Sequence, residues 1–166
     1  EPSSARGQDT DAGTLPGLSA SMVELRNASV SLKNLYIADE NGPVTVLNHE
    51  EVYTLNATFA FEEPITNAVF PFLIRTKEGI CVAGVRHPDD KSVIPEIEQD
   101  SEVTVTWRFR ASMMRGDYFV TVGVNSIHEG EKEGVYNVSD ALMFKVVDYT
   151  GKIRWGIVHL DQEVLD

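Results

Sequence analysis

From about residue 23 onward, the chain consists of short segments in which apolar and polar side chains alternate. The clearest runs from Glu51 to Phe61, where every second residue is apolar and those between are mainly polar. Glu102 to Arg110 repeats the pattern, with Val, Val, Trp and Phe on one face and Thr and Arg on the other. Because successive side chains of a strand point to opposite faces, both segments are predicted to be strands with one face in a core.

Turn signals separate these strands from their neighbours. Asn41-Gly42 follows a strand-like segment from Ala28 to Ala38, and the apolar runs Asn67 to Thr76 and Ile80 to Arg86 predict a hairpin. The other predicted elements are strands at Tyr118 to Asn125 and Ala141 to Val147, and loops at His87 to Ser101 and Gly130 to Gly134. No segment carries the apolar stripe of a helix. The fold class is therefore predicted to be an all-β, antiparallel sandwich of immunoglobulin-like or jelly-roll type.

Composition divides the chain into three parts. Residues 1–22 are rich in Gly, Ser, Thr and Asp, which predicts a flexible linker from an upstream domain. Residues 23–149 hold the predicted sandwich. Residues 150–166 add an apolar segment that either extends its own sheet as an edge strand or is exchanged between the protomers of a dimer. The candidate dimerisation residues are Ile153, Trp155, Ile157, Val158 and Leu160.

The charge of the chain limits its partners. It has 14 Lys and Arg against 26 Asp and Glu, a formal net charge of -12, and the cations are scattered. Without a basic stripe to neutralise phosphates, nucleic acid is excluded as a partner, and an anionic membrane surface would repel the chain. No run of about 18 apolar residues occurs, so no transmembrane helix and no direct membrane insertion are predicted.

Motifs of the common catalytic classes are missing from the sequence, including the phosphate loop, the nucleophile elbow and the zinc-protease helix. No catalytic residue, cofactor or metal ligand is therefore predicted, and the chain is interpreted as a binding domain. Cys81 lies in an apolar run and is predicted to be a buried thiol; as the lone cysteine, it favours a reducing compartment. The histidines, His49, His87, His128 and His159, are predicted to be exposed polar residues.

The outward faces of several strands offer side chains suited to sugars. Asn and Arg present planar sets of donors or acceptors that match sugar hydroxyls, and arginines would also accept an anionic group on the ligand. The predicted ligand-binding face consists of Asn56, Arg75, Arg108, Thr121 and Asn125.

The order of the segments is itself informative. After the N-terminal tether come Val30 to Gly42, Glu51 to Phe61, Val69 to Arg86, Val103 to Phe109, Gly116 to Gly123 and Asp140 to Val146. This order resembles the C-terminal domain of Wzt-type proteins. Those proteins are the nucleotide-binding subunits of ABC transporters that export O-antigen polysaccharide in Gram-negative bacteria.

The resemblance implies an immunoglobulin-like sandwich that forms a homodimer by exchanging its C-terminal strand. It implies a cytoplasmic location at the inner face of the inner membrane, with an upstream ATPase domain and a transmembrane exporter subunit as partners. The domain itself would perform no chemistry. It would bind O-antigen polysaccharide at its modified non-reducing end, so that completed chains are exported.

Two other hypotheses stay open at this point. The first is a structural or adaptor sandwich that mediates protein assembly without binding glycan. The second is an accessory domain of an extracellular enzyme, against which the lone cysteine and the lack of a secretion signal argue.

Overall fold

Two stacked β-sheets account for the strands of the protein. The computed structural model describes residues 19–26 and 29–165. Within those ranges there is no helix, and so none with the length and hydropathy to cross a membrane. The described residues form eleven strands: β1 (Val23–Arg26), β2 (Val30–Asp39), β3 (Gly42–Val44), β4 (Val46–Asn48), β5 (Val52–Phe61), β6 (Ile65–Thr76), β7 (Cys81–His87), β8 (Ile94–Ile97), β9 (Ser101–Arg110), β10 (Gly116–His128) and β11 (Glu131–Val147).

The larger sheet has the order β1-β11-β10-β6-β7, with β4 also paired to β11 and β8 to β6. The smaller sheet has the order β3-β2-β5-β9. Every pairing is antiparallel except that of β4 with β11, which is parallel. The predicted all-β, antiparallel fold class is therefore confirmed.

The core lies between the sheets and is filled by the faces that the alternation predicts to be inward. Leu55, Ala57 and Phe59 of β5 are fully buried. The Phe59 ring lies 5.4 Å from that of Phe70 on β6 and 6.2 Å from that of Tyr136 on β11, so it contacts two strands of the opposite sheet. Burial of side chains of this size stabilises the fold by about 1.5–3 kcal/mol each.

One side of the sandwich is closed by a hydrogen bond between the sheets. The backbone N–H of Leu32 on β2 donates to the Tyr136 hydroxyl on β11 over 3.0 Å. Burial, together with a hydrogen bond to Glu24, raises the pKa of Tyr136 to about 12. On the opposite side, β7 and β9 are the last strands of their sheets, and no strand pairing joins them.

Two predicted loops are wrong. The segment His87 to Ser101 contains β8, which pairs with the start of β6 through Ile97 and Ile65. Pro95 has no backbone N–H, and β8 tolerates it because not every backbone N–H of an edge strand donates to a neighbouring strand. The turn after β10 is confined to Glu129 and Gly130, both with positive φ, so the charged residues from Glu131 to Gly134 belong to β11.

The described residues at both ends of the chain contact the sandwich through backbone hydrogen bonds. Of the predicted linker, residues 1–18 lie outside the described residues, and the N–H of Ser19 donates to the carbonyl of Ala141 over 3.2 Å. Residues 150–165, the tail, form no strand; one bridge joins Val158 to Met113. Exchange of this tail between protomers stays a prediction.

Candidate functional site

A cleft of about 740 Å³ opens between the free edges of the two sheets. It lies between β7 of the larger sheet and β9 of the smaller sheet, on the side opposite the Tyr136 hydrogen bond. Small residues at the centre of β7, Ala83 and Gly84, line one wall. Ligand sites typically enclose about 300–1,000 Å³, so this cleft has the size of a binding site.

Aromatic side chains line the deeper part of the cleft. The Trp107 ring of β9 stacks on the Phe72 ring of β6, with centroids 5.1 Å apart and planes inclined by 23°. Phe109 lies next to Phe72, with a centroid distance of 6.3 Å. These rings close the core and also line the cleft.

Trp107 also carries a hydrogen-bond donor that no group among the described residues satisfies. Its side chain is buried, with 7% of the residue exposed, and its indole N–H has no acceptor among the described residues. Leaving a buried donor unpaired costs about 1–3 kcal/mol. Trp107 also lines the cleft, so this unpaired donor belongs to a residue that borders the space open to a ligand.

Three arginines are among the residues that line the cleft. Arg86, Arg108 and Arg110 lie there together with His87 and one acidic residue, Asp89. Arg86 donates to the carbonyls of the loop after β7, and Arg110 donates to the Glu50 carbonyl over 2.8 Å. The Arg108 side chain is exposed and makes no hydrogen bond or ion pair with a described residue. In a chain of net charge -12, this is a local concentration of positive charge.

The tail lies at the end of the cleft where β9 finishes. Val158, His159 and Leu160 line the cleft beside Ser112 and Met113. The tail is held there by backbone hydrogen bonds of 2.8 Å, from Met114 N to Ile157 O and from His159 N to Ser112 O.

Glu50 ties the tail to the body of the domain at this end. His159 donates through Nδ1 to Glu50 over 2.9 Å, and Ser112 donates to the other carboxylate oxygen over 3.3 Å. Burial raises the pKa of Glu50, but these hydrogen bonds and the nearby His49 outweigh it, so the pKa lies below its usual value.

The predicted ligand-binding residues do not share one surface. Asn56 and Arg108 belong to the smaller sheet, and Arg75, Thr121 and Asn125 to the larger one. Arg108 alone of the five lines the cleft. Asn56 accepts a hydrogen bond from Thr106 over 2.8 Å and donates to Thr54 over 3.2 Å, within a polar row on its own sheet.

The interpretation of Thr121 as an outward polar residue is wrong. Only 3% of it is exposed, and its hydroxyl accepts a hydrogen bond from the N–H of Asp140 over 3.2 Å. The register between β10 and β11 shifts next to Thr121, which brings the backbone of β11 against its side chain.

Two other sequence interpretations are also corrected, those of Cys81 and of two histidines. Cys81 is exposed, because it begins the edge strand β7. His49 and His159 are not exposed polar residues: 3% and 7% of their side chains are accessible. The candidate dimerisation residues Ile153, Trp155, Val158 and Leu160 are exposed in this single chain, whereas Ile157 packs partly against the core. Their role in a dimer stays a prediction.

Sequence reasoning missed Trp107, Phe109, Arg86 and His87 as cleft residues. The alternation correctly puts Trp107 and Phe109 on the inward face, but a position in the core gives no sign of an adjacent opening. The one available signal is the pair Arg108 and Arg110, which flank the inward aromatic residues on the same strand.

Comparisons with known proteins agree with this architecture. The family model described as the Wzt C-terminal domain matches residues 25–160. The structure described as the C-terminal domain of wzt superposes with a TM-score of 0.80 at 14% identity, covering 91% of this chain and 92% of that chain. A Niemann-Pick type C2 protein from Japanese carpenter ant has a TM-score of 0.48 at 12% identity, covering 70% of this chain and 91% of that one, which is too weak to support an argument.

No curated protein matches the chain significantly. The family match nevertheless spans well over half of the residues, and the similar crystal structure supports the same fold. The chain therefore belongs to the Wzt C-terminal domain family, a family of β-sandwich domains of O-antigen transport.

Proposed function

We propose that this domain binds the modified non-reducing end of an O-antigen polysaccharide in the cleft between β7 and β9. Membership of the Wzt C-terminal domain family supports a non-catalytic, carbohydrate-binding role in O-antigen transport in general terms. The observation that carries the more specific proposal is the unpaired indole N–H of buried Trp107 in a cleft that three arginines also line.

The chemistry of the cleft fits a sugar better than an apolar ligand. Sugar rings have apolar faces that pack on aromatic side chains, and their hydroxyls accept hydrogen bonds from groups such as the Trp107 N–H and the Arg108 guanidinium. The unpartnered Arg108 also suits a phosphate or carboxylate on the ligand. The end of the cleft is lined by the tail, which favours a chain terminus over the interior of a long polymer.

The parent protein sets the context of this binding. In the proposed arrangement, an upstream ATPase domain and a transmembrane exporter subunit lie at the cytoplasmic face of the inner membrane, and two copies of this domain form a homodimer. The exposed Ile153, Trp155 and Leu160 support a partner for the tail. Two linked sites would raise the overall affinity for a polymer without any new contact.

A calorimetric titration tests the proposal. Purified domain is titrated with O-antigen from its source strain, once with the intact terminal modification and once with that group absent. The modified polymer is expected to bind about tenfold more tightly or better, because loss of the terminal group leaves buried polar groups of the cleft unpaired at a cost of about 1–3 kcal/mol. Equal binding of both polymers would contradict end recognition. Failure of a folded domain to bind either would favour the adaptor hypothesis.

A further inference from the structure

Three side chains with metal-ligating atoms meet where the tail contacts the body of the domain. His49 and Glu50 lie between β4 and β5, and His159 lies in the tail. One ligand atom from each residue lies within 4.8 Å of those of the other two. In the part of the chain that the structure describes, this is the one group of three His, Cys, Asp or Glu residues with such spacing.

The ring nitrogens nearest to the Glu50 carboxylate are Nε2 of His49 and Nδ1 of His159. Nε2 of His49 is buried, has no hydrogen-bond partner among the described residues and lies 3.6 Å from Oε1 of Glu50. Nδ1 of His159 lies 2.9 Å from the same oxygen, so it would be the ligand atom of His159, with the ring proton carried on Nε2. The Nδ1–H of His49 donates to the carbonyl of Met113 over 2.7 Å, because a carbonyl can only accept, so Nε2 is the nitrogen of this ring that is left to bind a metal. A backbone carbonyl on one ring nitrogen is also the usual support of a histidine whose other nitrogen binds a metal.

We propose that His49, Glu50 and His159 form a binding site for a divalent transition-metal cation, with Zn²⁺ as the best match. Two imidazoles and one carboxylate are a known zinc ligand set that leaves a fourth position open. No sequence motif indicates it, because His159 lies 109 residues after Glu50 along the chain. The Asp161 carboxylate lies 3.8 Å from Nδ1 of His159 and adds a second negative charge beside the group.

The geometry requires a small adjustment on binding. Bonds of about 2.1 Å in a tetrahedral site put ligand atoms roughly 3.4 Å apart. The present separations extend to 4.8 Å, so the group must contract by about an ångström. The Glu50 side chain is one-third exposed, so it has room to move towards the two imidazoles.

A cation here would cross-link the tail to the body. His159 lies between Val158 and Leu160, which line the cleft, so the cation would fix the end of the cleft. This consequence for ligand binding rests on the proposed function, whereas the cation site itself does not.

Thermal unfolding of tag-free domain, after treatment with EDTA and dialysis, tests the site. ZnCl₂ at about 100 times its Kd is expected to raise Tm by roughly 5 °C or more, and renewed EDTA should reverse the rise. Calorimetry should give one zinc per chain. His159→Ala and Glu50→Gln should each remove most of the zinc-dependent rise, whatever they do to Tm without metal.

His128→Ala is the matched control, because His128 is exposed and lies on β10 away from the cluster. It should keep the full zinc-dependent rise. No rise in the unsubstituted domain, or an equal rise in His159→Ala, would overturn the proposal. Because no glycan enters this experiment, its failure would leave the proposed function untouched.

Discussion

Trp107→Ala is expected to abolish O-antigen binding and to lower the free energy of unfolding by about 3–5 kcal/mol. The ring is buried, stacks on Phe72 and lines the cleft, so its removal opens a cavity and deletes the aromatic surface together. Denaturant unfolding measures the loss of stability, and a calorimetric titration measures the loss of O-antigen binding.

Trp107→Phe separates binding from folding. A phenyl ring can still pack on Phe72 but lacks the indole N–H, so the expected result is a folded domain whose glycan affinity is about three- to tenfold lower. Trp155→Phe makes the same change on the exposed tail, outside the cleft lining, and should leave the affinity of a single site for a short glycan with one end unaltered, with or without a dimer. Unchanged affinity in Trp107→Phe would mean that the indole N–H does not contact the ligand.

The second large effect is expected at the opening of the cleft. Arg108→Glu should weaken binding by tenfold or more, because it replaces an unpartnered cation that lines the cleft by an anion. Hydrogen bonds to charged groups contribute about 1.5–3 kcal/mol, which corresponds to more than tenfold in affinity. Since Arg108 is exposed, Arg108→Glu should change the free energy of unfolding by no more than about 0.5 kcal/mol.

Arg75→Glu is the control for Arg108→Glu, because it makes the same change of charge on the larger sheet and outside the cleft lining. It should bind glycan as the unsubstituted domain does. If Arg75→Glu lost glycan binding and Arg108→Glu kept it, the binding site would lie on the outer face of the larger sheet.

Hydrophobic alternation predicts the strands of this fold well because most of them are buried on one face only. β5 and β9 show this most clearly, with Phe59 and Trp107 on the predicted inward faces. The alternation fails where burial depends on a neighbouring strand. Cys81 belongs to an edge strand and is exposed, and Thr121 is covered through a register shift in β11.

The site is harder to predict than the strands because it lies between sheets. Trp107 borders an opening only because β9 ends one sheet opposite β7, which ends the other. The sequence of β7 or of β9 alone does not show that the strand ends its sheet. The contact of His49 with His159 likewise depends on the path of the tail, whose sequence gives no sign of its docking position.

The measurement that tests the central claim most directly follows the two indole N–H signals of the domain by NMR during addition of modified O-antigen. The chain has two tryptophans, and Trp155→Phe assigns the signals. The proposed function predicts that the Trp107 signal shifts and saturates with the Kd found by calorimetry, while the signal of exposed Trp155 stays in place. Saturable glycan binding with an unmoved Trp107 signal would contradict the assignment of the cleft as the binding site.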